Sequence, residues 1–202
     1  EMGLTPFDLR HIIFFGTPEF ATPYLRALCE KGRKPISVIS QPDRPVGRKQ
    51  LIEKTPVKKV AEEYGIAVFQ AENVNDEAFL DELKKLNVDF FVVVAFGQIL
   101  SKNLLAIPRL GTLNVHPSLL PKYRGAAPLQ ETILEGDFET GVTIMLMDEK
   151  MDHGPIVLQE KVPLSEDETM DSLREKVTNV GVPLLLKGID QLESGTAKLQ
   201  TQ

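Results

Sequence analysis

The sequence predicts an α/β fold with a mainly parallel central sheet and helices on both faces, and three observations predict it. Two runs, HIIFF at residues 11–15 and DFFVVVAF at residues 89–96, are almost continuously apolar and rich in β-branched and aromatic residues. That is the composition of strands covered on both faces. Segments with apolar residues at helical spacing separate the strand-like runs, so parallel strands joined by crossover helices are expected. The first run also ends at Gly16 and leads directly into a helix, the strand, turn and helix that open a Rossmann-like unit.

The 202 residues are enough for one substantial α/β domain, which would bury roughly 70% of the surface of its unfolded chain. The 42% hydrophobic and 26% charged fractions are those of an ordinary globular protein. A single cysteine, Cys29, excludes an internal disulfide and a cysteine-based zinc site. It fits a reducing compartment, and its apolar helical surroundings predict a buried, inert thiol. No apolar run approaches membrane-spanning length, and the N-terminus lacks the basic, apolar and small-residue order of a signal peptide, so a cytoplasmic location without membrane contact is expected. A net charge of -6 gives no global pull on nucleic acid, so any RNA contact must come from a local basic patch.

Taken in order, residues 1–10 show no clear periodicity and are expected to be an N-terminal extension or an expression remnant. After the strand at 11–15 and the turn Gly16-Thr17-Pro18-Glu19, a helix runs through Leu25, Leu28 and Cys29 and stops at Gly32. The GxGxxG fingerprint is missing, which weakens a dinucleotide reading. Residues 36–40 are the second strand and run into the loop QPDRPVGRKQLIEK, crowded with Arg44, Arg48, Lys49 and Lys54. Thr55 and Pro56 form an N-cap and first-turn pair for the next helix, onto which Lys58 and Lys59 continue the basic cluster. On composition alone this loop is a solvated charged surface. Residues 76–86 have helical spacing at Phe79, Leu80, Leu83 and Leu86, with Asn75 as the expected cap. The central strand from Asp89 follows, then a short helix that ends before Pro108.

The stretch GTLNVHPSLLPKYRGAAPLQ at residues 111–130 holds the chemistry. Side chains alternate along an extended segment, so Asn114 and His116 share one face while Val115 points to the core. Pro117 and Pro121 stop further pairing and make the following loop a rim. An amide donor and a titratable ring on one patch suit acyl transfer, which needs a donor for a developing oxyanion and a proton-transfer group near one carbonyl. A satisfied turn would show the same spacing. Beyond it, residues 129–134 read as a helix closed at Gly136, residues 140–147 as an alternating strand, and residues 156–162 as an edge strand. Residues 169–192 carry Leu173, Val177, Val180, Leu184, Leu185 and Ile189 at helical spacing, while Gly181 and Pro183 imply a kink or restart.

The wording NVHPSLLPKYRGAAPLQ resembles the signature of 10-formyltetrahydrofolate-dependent formyltransferases, and among these most closely the methionyl-tRNA formyltransferases. FFGTPEFA and PDRPVGRKQ agree with it. The resemblance implies a Rossmann-like formyltransferase catalytic domain over residues 11–194, with residues 195–202 starting a linker and the family's C-terminal β-barrel domain absent from this chain. It implies 10-formyltetrahydrofolate as donor, initiator methionyl-tRNA as partner, a monomer, and no metal. By the same resemblance Asn114, His116 and Asp152 form the catalytic constellation. Ala95, Phe96, Gly97, Ile99 and Leu100 wall the pterin slot, although Phe96, Ile99 and Leu100 equally suit ordinary core. Ser118, Leu119, Leu120 and Pro121 contact the folate. Arg44, Arg48 and Lys49 meet the tRNA acceptor arm by charge, while Lys122, Tyr123 and Arg124 border the approach of the amine.

A carboxylate beside an imidazole would fix the ring and favour its charged form. His153, directly after Asp152, is expected to point elsewhere. A metal set of His116, Asp152 and His153 lacks a helical histidine pair or a cysteine partner. Three alternatives remain: formyl transfer to a sugar nucleotide or other small amine, hydrolysis of the formyl folate, and a silent folate- or RNA-binding module.

Overall fold

The computed structural model describes residues 11–202, so the expectation for residues 1–10 lies outside the described residues. They divide into two compact units, residues 11–112 and Leu113–Gln202.

The first unit contains β1 (Ile12–Gly16), a 3-10 turn (Glu19–Ala21), α1 (Thr22–Glu30), β2 (Ser37–Ile39), β3 (Arg44–Val46), β4 (Leu51–Glu53), α2 (Pro56–Glu63), β5 (Ala67–Phe69), α3 (Glu77–Lys84), β6 (Phe90–Val94) and α4 (Lys102–Leu105). The strands β5, β2, β1 and β6 lie side by side and every pairing is parallel, with Phe14 opposite both Val38 and Val92. The two solid apolar runs are the central pair, and all five residues of each are buried. Phe15 packs edge-on to Phe91, centroids 4.8 Å apart, and to Phe96 at 5.4 Å. Gly16 permits the turn that follows: a Cβ there would sit 2.7 Å from the Phe14 ring and 3.0 Å from the Val94 carbonyl oxygen.

Three expectations are corrected in this unit. The basic stretch is not an irregular loop but an antiparallel hairpin, β3 with β4, pairing Val46 with Leu51. Gly47 and Gln50 turn it with φ of 71° and 50°, and its short strands, interrupted by Pro45, give too little alternation to be seen in the sequence. Asn75 does not cap α3. Its amide donates to the Ile99 carbonyl and accepts from Ser101 N–H, both at 2.8 Å, and Asp76 takes the cap position. Cys29 is half-buried rather than buried, and burial pushes its thiol pKa up. Thr55 does cap α2, accepting from Lys58 N–H at 3.2 Å. Strand β5 was not foreseen, because three residues form a strand only when β2 offers an edge.

The second unit contains β7 (Gly111–His116, entering at Leu113), α5 (Pro128–Leu134), β8 (Glu139–Leu146), β9 (Ile156–Pro163) and α6 (Met170–Ser194). Here the strands form an antiparallel meander, with His116 opposite Thr143 and Ile144 opposite Leu158. Helix α6 packs on β8 and β9, burying Leu173, Val177, Leu184, Leu185 and Ile189. The expected break at Pro183 does not occur, and α6 runs unbroken for 25 residues. Proline removes the bond to the carbonyl four residues earlier, but Pro183 and Asn179 are both exposed, so the loss falls on the solvent face of the helix and not in the core. A capping box at Thr169 and Ser172 starts the helix, and Gly195 ends it with φ of 72°.

Candidate active site

The second unit builds a closed constellation around His116. Strand β7 delivers Asn114 half-buried, opposite Met145, and then His116, whose side chain is 6% exposed. The loop between β8 and β9 brings Asp152 to it, 36 positions along the chain, with Asp152 Oδ1 3.5 Å from His116 Nδ1 and the carboxylate 12% exposed. Asp152 takes a left-handed φ of 52°. Its other oxygen accepts the Gly125 N–H at 2.7 Å, and Arg124 Nε donates to its carbonyl at 3.0 Å. The second ring nitrogen of His116 lies 2.9 Å from the Tyr123 carbonyl oxygen. A buried imidazole held between a carboxylate and a carbonyl has its orientation set at both ring nitrogens.

Residues 118–121 form the rim. Ser118 is fully buried and donates to the Lys122 carbonyl at 2.6 Å, while Leu120 packs with Met145 and Ile156. Their side chains therefore hold the turn, and Leu119 and Pro121 are its more accessible members. Leu119 in turn lies over Gly141, where a Cβ would meet it at 2.2 Å. The support beneath comes from Thr143 and Gln159, whose importance a buried threonine in the apolar run TGVTIMLM was the sole sequence signal for.

Lys122 and Tyr123 turn to Asp137: Lys122 Nζ lies 3.1 Å and Tyr123 Oη 2.6 Å from the same carboxylate oxygen. The Tyr123 bond holds the Asp137 carboxyl below the usual carboxylate range against the upward push of burial, and Lys122 helps. Arg124 is tied to Asp152 and to Gln202. His153 faces Asp148 at 3.7 Å rather than His116. Among the described residues no three metal-binding side chains gather at one point.

In the first unit, residues 95–100 turn away from the end of β6. Phe96 and Leu100 are core, 3% exposed each, whereas Ala95, Gly97 and Ile99 are exposed. The turn is held by groups that no motif marked: Thr17 donates to the Phe96 carbonyl at 2.7 Å, Gln41 to that of Gly97 at 3.0 Å, and Gln98 to Gln41 at 2.8 Å. On the hairpin, Arg48 and Lys49 sit exposed in the turn and Arg44 lies 3.7 Å from Glu72. Lys58 does not extend this patch, because it is turned onto Asp43 at 2.9 Å and Gln70 at 2.8 Å.

A family model described as formyl transferase matches residues 9–189. The methionyl-tRNA formyltransferase of Thermodesulfovibrio yellowstonii is 46% identical over 192 residues, covering 94% of this chain and 62% of that protein. The chain thus spans about three fifths of the length of such relatives. The solved glycinamide ribonucleotide transformylase 1 of Symbiobacterium toebii shares the fold, with a TM-score of 0.80 at 18% identity over 100% of this chain and 97% of that one. So does the N-formyltransferase of Helicobacter canadensis in complex with folinic acid and dTDP-3-aminofucose, with a TM-score of 0.71 at 23% identity over 96% and 68%.

Proposed function

This chain belongs to the formyl transferase family, and from that premise we propose that it moves the formyl group of 10-formyltetrahydrofolate to the α-amino group of initiator methionyl-tRNA. The observation that carries the reading is the His116–Asp152 pair, 3.5 Å apart and largely buried, with Asn114 on the same strand. The amine attacks the formyl carbon and a carbon–nitrogen bond forms. The bond from that carbon to the folate nitrogen then breaks, the amine loses a proton, and the leaving nitrogen gains one. Asn114 donates to the oxyanion, His116 stabilises that charge and handles the proton, and Asp152 orients His116 and draws the proton from the attacking amine. Losing such an oxyanion donor costs roughly a hundred- to thousand-fold in rate, which is the fall expected of Asn114→Ala.

Residues 11–194 are the catalytic domain in this reading. Residues 95–100, of which Ala95, Gly97 and Ile99 are exposed, and the rim at 118–121 receive the folate. Arg44, Arg48 and Lys49 on the hairpin meet the acceptor arm, and Lys122 and Arg124 border the approach of the amine. The folinic acid held by the Helicobacter canadensis enzyme supports a folate donor. No helix among the described residues is long and apolar enough to cross a membrane, and a cytoplasmic monomer is part of the proposal.

The test is a discharge assay. The protein is incubated with 10-formyltetrahydrofolate and either methionyl-tRNA or a small amine, and the formylated product is identified. Formylated methionyl-tRNA supports the proposal. Formylation of the small amine alone, or formate released without an acceptor, overturns the choice of substrate. Near-normal transfer by Asn114→Ala removes the oxyanion assignment.

A further inference from the structure

His116 presents both ring nitrogens to fixed partners. Nδ1 faces the Asp152 carboxylate and Nε2 lies 2.9 Å from the Tyr123 carbonyl oxygen. A carbonyl and a carboxylate both only accept, so the two partners compete for the ring hydrogen: the 2.9 Å bond to the Tyr123 carbonyl draws it to Nε2, and the Asp152 carboxylate, 3.5 Å away, draws it to Nδ1. The hydrogen on Nε2 is thereby held by the backbone of Tyr123, a residue whose φ of 58° is costly for a bulky side chain.

Something must hold that backbone in place, and the structure shows two ties. The phenol donates to Asp137 Oδ2 at 2.6 Å, and Lys122 Nζ bonds the same oxygen at 3.1 Å while lying 4.9 Å from the centre of the Tyr123 ring. On the other side Ser118 Oγ holds the Lys122 carbonyl. Asp137 stands just beyond α5 with its carboxylate 17% exposed, near enough to the surface to stay charged and covered enough to be fixed. Two residues past Tyr123, the Gly125 N–H holds Asp152, so one short turn positions both members of the pair.

We propose that Asp137, acting through the Tyr123 hydroxyl and backbone, is a positioning residue that sets the ring orientation and tautomer of His116. The proposal rests on the reading above for its effect on turnover, but its direct readout does not need that reading. A merely structural staple between the rim and the turn after α5 would stabilise the protein and leave the ring unaffected.

The experiment records the ring nitrogen resonances of the 15N-labelled chain, whose three histidines are assigned by a His116→Gln variant. In the unaltered protein His116 Nε2 is expected to carry a hydrogen. Tyr123→Phe, which keeps the ring and removes the tie, and Asp137→Ala are expected to move hydrogen from Nε2 toward Nδ1, the nitrogen facing Asp152. Formyl transfer should then fall roughly tenfold in kcat with less than a twofold change in either KM, the loss expected of one charge-assisted hydrogen bond. The double variant should lose little more than either single one. Ring resonances unchanged in a folded Tyr123→Phe protein overturn the proposal. Resonances that shift while formyl transfer stays at the normal rate uphold the tie and instead remove His116 from the reaction.

Discussion

Thr143→Val should be among the most damaging conservative substitutions in the second unit. The Thr143 hydroxyl is fully buried and fully used: it donates to the Ser118 carbonyl at 2.7 Å and accepts from Leu120 N–H at 3.2 Å and Gln159 Nε2 at 2.9 Å. One hydrogen and two lone pairs are all that a hydroxyl has. Valine fills nearly the same space, so the cost is polar rather than a cavity. Gln159 keeps its bond to the Leu120 carbonyl, but the Ser118 carbonyl and the Leu120 N–H lose Thr143 inside the protein. At about 1–3 kcal/mol for each group the loss is about 2–6 kcal/mol, or a fall in Tm of at least about 5 °C. Urea unfolding and calorimetry measure it. The control is Thr112→Val, at a threonine equally buried whose hydroxyl has no hydrogen-bond partner among the described residues. That variant should be as stable as the parent or more so, since it removes a buried polar atom that makes no bond. Equal effects at the two positions would refute the reasoning.

Other perturbations follow from the same geometry. Gly154→Ala places a Cβ 1.8 Å from the Leu146 carbonyl oxygen, so the backbone of the loop carrying Asp152 must shift. A loss of at least about 3 kcal/mol in urea unfolding is expected, with a fall of tenfold or more in the proposed formyl transfer, and a silent substitution would show the loop to be free to adjust. Pro183→Ala restores an exposed helical hydrogen bond to Asn179 and removes the proline penalty, so Tm should rise, by up to about 3 kcal/mol of added stability, and an unchanged Tm argues against the unbroken helix. Lys176, with Ser172, holds the Glu168 carboxyl down to about 2 from 4.5. A lowered folded-state pKa stabilises above the unfolded value, so the advantage over Glu168→Gln should be complete above about pH 4.5 and vanish as pH falls to about 2. Denaturant midpoints measured across that window check the sign.

Much of the architecture was legible along the chain. The solid apolar runs of β1 and β6 could only be strands buried on both faces. Thr55 before Pro56 marked a helix start, and the period of two put Asn114 and His116 on one strand. The hairpin, β5 and the unbroken α6 were less visible, because each depends on a partner edge or on solvent rather than on its own residues.

By itself the sequence determined which side chains could do chemistry and which segments would be strand, helix or rim, since backbone preference and burial of a face are local properties that residue identity records. Tertiary structure alone decided the 3.5 Å at which Asp152 stands from His116 across 36 residues, that His153 turns to Asp148, and that Tyr123 and Gly125 hold the pair with backbone atoms. A carbonyl or an N–H is present at nearly every position and bears no mark in the sequence. Only the folded path of the chain gives one of them a direction.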